Sequence, residues 1–147
     1  NMFLNKLERF TGFGLLRRAP LAAAAAELMQ RFDVRAAGPQ IAFSSLSGGN
    51  QQKAVLAREL TLDRLVFLLA AQPTRGLDIG AVEAVYQQIR AIVQAGVGVL
   101  LISSDLDELI AASDRILVLY RGRIVGEKPA RIDQREKIGA MMSGHGA

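Results

Sequence analysis

The chain has 147 residues, half of them hydrophobic, and it contains no cysteine and no tryptophan. This apolar content supports a folded core in one domain or a large part of one, and it excludes a disordered polypeptide. The lack of cysteine excludes disulfides and thiolate metal sites. The apolar run Leu65–Ala71 is far shorter than the about 20 residues that a membrane-spanning helix needs, so no membrane-spanning segment is predicted.

The net charge of +4 is unevenly distributed along the chain. Residues 1–64 contain nine Lys/Arg and five Asp/Glu, residues 65–114 contain two and six, and residues 115–147 contain seven and three. A basic front can meet nucleic acid, anionic lipid or an acidic protein surface, or it can be an ordinary solvated face. Aromatic residues do not alternate with the basic ones as they do on base-stacking surfaces, so no nucleic-acid partner is predicted.

The first half of the chain predicts two helices and a strand. A proline at the first helical position and a run of alanines predict a helix over Pro20–Phe32. A loop follows, and the apolar spacing from Ser47 onward predicts a second helix. Consecutive apolar residues over Leu65–Ala70 predict a strand that is buried on both faces.

The next segment has the pattern of a strand–helix–strand unit. An apolar stripe predicts a helix over residues 81–96 that ends at Gly96, and Val97–Ser104 predicts another buried strand. Because the two strands are separated by a helix of about 16 residues, they are expected to be parallel.

The C-terminal part predicts a short helix, a hairpin and a final helix. Asp105 and Glu108 resemble a capping pair for the short helix. The turn Arg121-Gly122 between two apolar runs predicts a tight hairpin. The final helix is predicted from Asp133 to Met142.

Ser47-Gly48-Gly49 stands at the start of the second helix. Glycine allows a ligand to approach the backbone closely, the first amides of a helix lack intrahelical partners, and the helix dipole is positive at this end. These properties indicate an anion site, although a plain capping turn would have the same residues. No Gly-Lys-Ser or Gly-Lys-Thr phosphate loop occurs in the chain.

The order "LSGGNQQK", "PTRGLD", "SSD" and "DRILVLYRGRIVGE" resembles the ATP-binding subunits of ABC transporters over about residues 20–130. Leu46–Asn50 resembles the signature motif, with Asn50 where glutamine is commoner. Gly76–Asp78 resembles the D-loop, and Ser104 stands at the usual position of the switch histidine. The resemblance is greatest to the second cassette of two-cassette ATPases that serve importers of simple sugars and nucleosides.

The resemblance implies that the signature acts on a nucleotide held by another cassette. Ser47, Gly48, Gly49 and Asn50 would cap ATP bound by the phosphate loop of the opposite cassette in a head-to-tail dimer. Asp78 would cap the helix that follows it and reach across the same dimer.

The resemblance also implies a degenerate resident site. The family usually has an Asp-Glu pair where Ala71 and Gln72 stand, and a histidine at Ser104. Alanine offers Mg²⁺ no ligand, a neutral amide cannot take a proton at pH 7, and serine lacks the charge switch of imidazole. The resident site is therefore expected to bind ATP but to hydrolyse it poorly or not at all, the alternative being chance divergence in an otherwise active cassette, and no metal ligand is assigned.

The implied fold is α/β, part of a P-loop NTPase of the ABC type, with a mainly parallel sheet flanked by helices, a helical N-terminal segment and a C-terminal β-hairpin. Residues 1–45 would end the helical subdomain, and residues 46–147 would form the C-terminal half of the catalytic core. The phosphate loop, the adenine-stacking aromatic and the Q-loop would precede Asn1.

The implied assembly is a bacterial importer at the cytoplasmic face of the inner membrane. Its partners would be a second cassette, permease subunits and, indirectly, a solute-binding protein. ATP and Mg²⁺ would bind the full-length dimer, none is expected on this chain alone, and self-association of the chain is a further expectation. The alternatives are an ABC-like binding module without transport and a soluble ABC ATPase.

Overall fold

The computed structural model describes residues 1–145. Its helices are α1 (Arg18–Arg31), α2 (Gly48–Leu60), α3 (Ile79–Gln94), α4 (Leu106–Ala112) and α5 (Arg135–Met142). Its strands are β1 (Thr11–Gly12), β2 (Leu15–Leu16), β3 (Phe67–Ala71), β4 (Gly98–Ile102), β5 (Arg115–Tyr120) and β6 (Arg123–Pro129). None of the helices within residues 1–145 is long and apolar enough to cross a membrane.

The chain divides into two compact units. The first unit comprises Asn1–Phe67 and Pro73–Gly98, and the second comprises Leu68–Gln72 and the chain from Val99 onward. The first unit is helical, with α2 in contact with both α1 and α3. Its buried helical residues are Leu28, Ala54, Leu56, Ala57, Ala81, Val85, Tyr86 and Ile89.

The second unit is built on the antiparallel hairpin β5–β6. The side chains of Ile116 and Val118 on β5 pack against Ile138 and Met141 on α5 in one buried cluster. The turn residues Arg121 and Gly122 have φ values of 47° and 78°, as a two-residue type I′ turn requires. The predicted hairpin and its turn are therefore confirmed.

Strands β3 and β4 pair with each other. The Gly98 amide donates to the Val66 carbonyl at one end, and the Gln72 amide donates to the Ile102 carbonyl at the other. Because both partners advance along the chain together, the two strands are parallel. The predicted strand–helix–strand unit is confirmed, with α3 as its helix.

The prediction that these two strands are buried on both faces is wrong. Leu68 and Ala70 are buried, but Phe67 and Leu69 are 57% and 58% exposed. On β4, Leu100 and Ile102 are 46% and 48% exposed. Within residues 1–145 one face of this strand pair therefore has no covering layer, although its residues are as apolar as those of the buried face.

The N-terminal segment contains more than the predicted helix. Helix α1 begins at Arg18, two residues before the predicted start at Pro20. Before it lie a 3₁₀ segment over Leu4–Phe10 and the short hairpin β1–β2, with Thr11 opposite Leu16. Periodicity did not predict this hairpin, because each of its strands has only two residues.

Candidate functional site

The glycine turn predicted from the sequence is the exposed N-terminus of α2. Ser47 is the N-cap residue, and its side chain makes no capping bond to the helix. Instead, the side-chain amide of Asn50 donates to Ser47 Oγ over 2.9 Å. This bond uses an oxygen lone pair and leaves the serine hydroxyl hydrogen available for donation. The exposed turn thus presents a hydroxyl and the first amides of α2, which have no intrahelical acceptors.

Two polar side chains of α2 hold this turn against the loop that follows α1. Asn50 Oδ1 accepts from the Arg35 amide over 2.7 Å. One turn further along α2, Lys53 Nζ donates to the carbonyl and to the carboxylate of Asp33, over 3.1 and 2.7 Å. The hydrogen bond from Lys53, followed by that from Arg35, holds the pKa of the Asp33 carboxyl below its usual value. The turn is therefore fixed by neutral and charged bonds on one helix face.

The loop Pro73–Asp78 lies beside the same end of α2. Gln52 Nε2 donates to the Pro73 carbonyl over 2.9 Å. A Cβ at Gly49 would lie 3.3 Å from Leu77 Cδ2, so this glycine allows the loop to approach the helix. Asp78 ends the loop and caps α3 by accepting from the Ala81 amide over 3.0 Å. The predicted signature residues and Asp78 thus lie on two adjoining segments of the first unit.

The sequence-predicted residues Gln72 and Ser104 come together in the second unit. Gln72 Nε2 lies 3.4 Å from Ser104 Oγ, at the long limit of a hydrogen bond. Gln72 has a φ of 49°, a left-handed conformation that costs a non-glycine residue about 1–2 kcal/mol. Its amide donates to the Ile102 carbonyl over 2.7 Å, and this bond holds the strained residue at the end of β3.

The side chains of Gln72 and Ser104 at this site are neutral. Ala71 is exposed and offers no ligand, and neither Gln72 nor Ser104 can take up a proton near pH 7. The nearby carboxylates serve α4: Asp105 accepts from the amides of Asp107 and Glu108, and Glu108 accepts from Ser103 Oγ. Among residues 1–145 no three acidic, histidine or cysteine side chains could hold a metal ion together.

Sequence reasoning missed the residues that position the glycine turn at the start of α2. The bonds from Asn50 to Arg35 and from Lys53 to Asp33 span 15 and 20 residues, so local propensity carries no information on them. One signal was present in the sequence: Asn50 and Lys53 are three positions apart and therefore share a helix face. Polar residues on one face beside an exposed turn are candidates for anchoring it.

No family model matches the chain, but it is similar to several curated proteins. It is 43% identical to the ribose import ATP-binding protein RbsA 2 of Rhizobium meliloti (strain 1021), over 95% of this chain and 27% of the relative. It is 42% identical to the nucleoside import ATP-binding protein NupA of Lactococcus lactis subsp. cremoris, over 90% and 26%. It is 41% identical to the xylose import ATP-binding protein XylG of Brucella abortus, over 94% and 27%. The chain thus spans about a quarter of the length of these relatives.

The solved structures with a similar fold are also ATP-binding cassettes. The dimeric structure of a bacterial ABC transporter cassette superposes with a TM-score of 0.65 at 26% identity, over 74% of this chain and 47% of that one. A dimeric post-hydrolysis state of an ATP-binding cassette, bound to ADP and Pi, superposes with a TM-score of 0.70 at 24% identity, over 88% and 55%. The chain thus resembles part of an ABC-type ATP-binding cassette in sequence and in fold, and the proteins it is similar to include the ATP-binding proteins of sugar and nucleoside importers.

Proposed function

We propose that this chain is the C-terminal part of the second cassette in an importer ATPase for simple sugars or nucleosides. Residues 1–45 would end its helical subdomain, and residues 46–147 would form the later half of its catalytic core. The chain supplies a signature motif to ATP held by the partner cassette, while its own hydrolytic site is silent. Two observations together carry the proposal. The chain has a well-anchored, exposed signature turn, and it has only neutral side chains at Gln72 and Ser104.

The signature turn has groups that fit a phosphate. The Ser47 hydroxyl and the amides of Gly48 and Gly49 are all donors, and anions bind favourably at the positive end of a helix. A Cβ at Gly48 would meet no heavy atom within 4 Å, so glycine here is not required for packing within the described chain. Open space on this face is what the approach of a phosphate from a second polypeptide requires.

The resident site has lost the groups that hydrolysis needs. A general base must accept a proton and Mg²⁺ prefers carboxylate ligands, whereas the positions concerned hold Ala71, Gln72 and Ser104. The residues present therefore do not fit a resident Mg²⁺ ion. In the assembled dimer, ATP and Mg²⁺ would be bound by the partner cassette, with Ser47, Gly48, Gly49 and Asn50 facing the nucleotide and Asp78 at the seam.

The same proposal defines the assembly. The partners are a second nucleotide-binding cassette and membrane permease subunits, which work with a solute-binding protein at the cytoplasmic face of a bacterial inner membrane. The names of the relatives include ribose, xylose and nucleoside import, and this range supports the importer class without selecting one substrate. The proposal competes with an ABC-like binding module and with a soluble ABC ATPase.

Titration calorimetry of the chain with Mg-ATP tests the position of the nucleotide site. We expect no hydrolysis and no saturable binding below millimolar ATP, because the signature donors can only complete a site that is held elsewhere. A micromolar dissociation constant, about −8 kcal/mol, would show that this chain holds the nucleotide itself. A second result would favour an ABC-like binding module instead. In that case, a complete assembly with the partner cassette would hydrolyse ATP at the same rate whether or not the signature is intact.

A further inference from the structure

The tip of the β1–β2 hairpin carries a phenylalanine that is fully exposed. Phe13 and Gly14 are the turn residues, with φ values of 51° and 77°. Leu15, which follows them, is 74% exposed. Left-handed backbone is unfavourable for an aromatic residue, and the Phe13 side chain is fully exposed, so burial against residues 1–145 does not offset this strain.

The second hairpin of the chain provides an internal comparison. Its turn residues Arg121 and Gly122 have nearly the same φ values, 47° and 78°. There the non-glycine position holds a charged residue, which water solvates well. The same turn geometry is therefore compatible with a polar residue in this chain, and the phenylalanine at the first turn calls for an explanation outside the folding of the hairpin.

The base of the first hairpin is basic. Arg17 and Arg18 follow β2 directly, and no Asp or Glu occurs between Glu8 and Glu27. The Arg17 amide donates to the Phe10 carbonyl over 2.7 Å, which fixes this residue at the foot of the hairpin. Among residues 1–145 neither arginine pairs with an acidic side chain.

The position of these arginines is also unusual for a helix. They lie at the N-terminus of α1, whose first turn contains no acidic residue. Cations at this end oppose the helix dipole and are unfavourable there. Both the strained aromatic tip and the unpaired arginines thus reduce the stability of the isolated chain, and they lie next to each other.

We propose that the β1–β2 hairpin docks on an anionic phospholipid surface. Phe13 and Leu15 enter the interface between headgroups and acyl chains, and Arg17 and Arg18 pair with headgroup phosphates. An exposed apolar residue that projects from a basic surface is the combination that binds such interfaces. A convex tip suits a deformable surface, and this docking involves none of the residues assigned to the nucleotide.

Flotation of the chain with lipid vesicles tests this proposal. The chain is expected to float with vesicles of phosphatidylcholine and phosphatidylglycerol, but not with phosphatidylcholine alone, and added salt should release it. Phe13→Asn should weaken binding by roughly tenfold, since burial of an aromatic side chain is lost. Replacing Arg17 and Arg18 by serine should weaken it about fivefold for each arginine.

Phe13→Asn also separates binding from folding. Asn-Gly is the preferred pair for this turn, so the variant should melt at the same temperature as the parent chain or higher. Ile132→Asn is the matched apolar control, since Ile132 is 72% exposed in the second unit. The matched charge control replaces Arg121 and Arg123 by serine. Neither control should change flotation.

Three results would overturn the proposal. One is an absence of flotation with the mixed vesicles. Another is an equal loss of binding in the hairpin variants and in the control variants, which would indicate a diffuse charge effect. The third is binding to native membranes but not to protein-free vesicles, which would assign the hairpin tip to a protein partner.

Discussion

Lys53 Nζ lies 2.7 Å from Asp33 Oδ2, and the Lys53 side chain is only 14% exposed. This ion pair holds α2, the helix that begins at the glycine turn, against the loop after α1. The hydrogen bonds from Lys53 and Arg35 lower the pKa of Asp33 in the folded state. The stability that the pair contributes is therefore present above the unfolded-state pKa of about 3.9 and is lost as the pH falls through the lowered folded value.

We expect Asp33→Asn to reduce the urea midpoint at pH 7 and to have a smaller effect near pH 3. Asparagine tolerates the left-handed backbone that Asp33 adopts, with a φ of 49°, so the comparison isolates the charge. A double-mutant cycle that combines Asp33→Asn with Lys53→Gln isolates the interaction energy of this ion pair from the other contacts of the two residues. An effect of Asp33→Asn that is equally large at both pH values would contradict this account.

A second prediction concerns two glycines in the second unit. A Cβ at Gly126 would clash with Met141 Sδ in the buried cluster, whereas a Cβ at Gly139 would meet nothing within 4 Å. Gly126→Ala should therefore destabilise the chain by about 1–3 kcal/mol. Gly139→Ala lies in the middle of α5 and should stabilise it by up to about 1 kcal/mol. Thermal unfolding measures the change in stability of each variant. Changes of the same sign in the two variants would show that the packing of Met141 is misassigned.

The local parts of the fold were predictable because short segments determine them. Asp105 caps α4 by accepting from the amides two and three residues later, and Arg121-Gly122 has a glycine at a turn position that prefers one. The Phe13-Gly14 turn was not predicted, because phenylalanine is not a turn residue. The exposed face of β3 was not predicted either. A continuous apolar run indicates burial on both faces, but the sequence of the run does not show whether a covering layer lies on each face.

In the candidate site, too, the local features could be predicted from the sequence and the long-range contacts could not. Ser47-Gly48-Gly49 could be predicted as an exposed helix start from three adjacent residues. Its anchors could not, because the bonds to Asp33 and Arg35 depend on how α2 packs against a preceding loop.

A third prediction follows from the uncovered face of β3 and β4. Phe67, Leu69, Leu100 and Ile102 form an apolar surface on a strand pair, and such surfaces and open edges promote association. We expect the chain to self-associate with increasing concentration in light scattering. Replacing Phe67 and Leu69 by lysine should shift it toward monomer. Leu119→Lys, at a position 69% exposed on the hairpin, is the control.

A strictly monomeric parent chain over a wide concentration range would count against this prediction. An equal shift in the Leu119 control would show that added charge, and not the loss of this face, is responsible.

The fourth prediction separates the two candidate sites. Gly48→Asp brings a carboxylate and a Cβ to the place where a phosphate must approach. The variant should fold normally, because a Cβ here meets nothing within 4 Å and an acidic residue is favourable in the first turn of a helix. Gln72→Glu restores one carboxylate, but Ala71 and Ser104 still lack the other two groups. Catalytic groups that act as a unit are strongly non-additive, so this variant should remain silent.

The most direct measurement is the steady-state ATPase rate of both variants in a complete cassette dimer that contains this chain, with the permease present. The signature in trans predicts a loss on the order of 10²–10³ for Gly48→Asp and an essentially unchanged rate for Gln72→Glu. Near-normal turnover in Gly48→Asp would contradict a working signature, and a severalfold increase in Gln72→Glu would contradict a silent resident site.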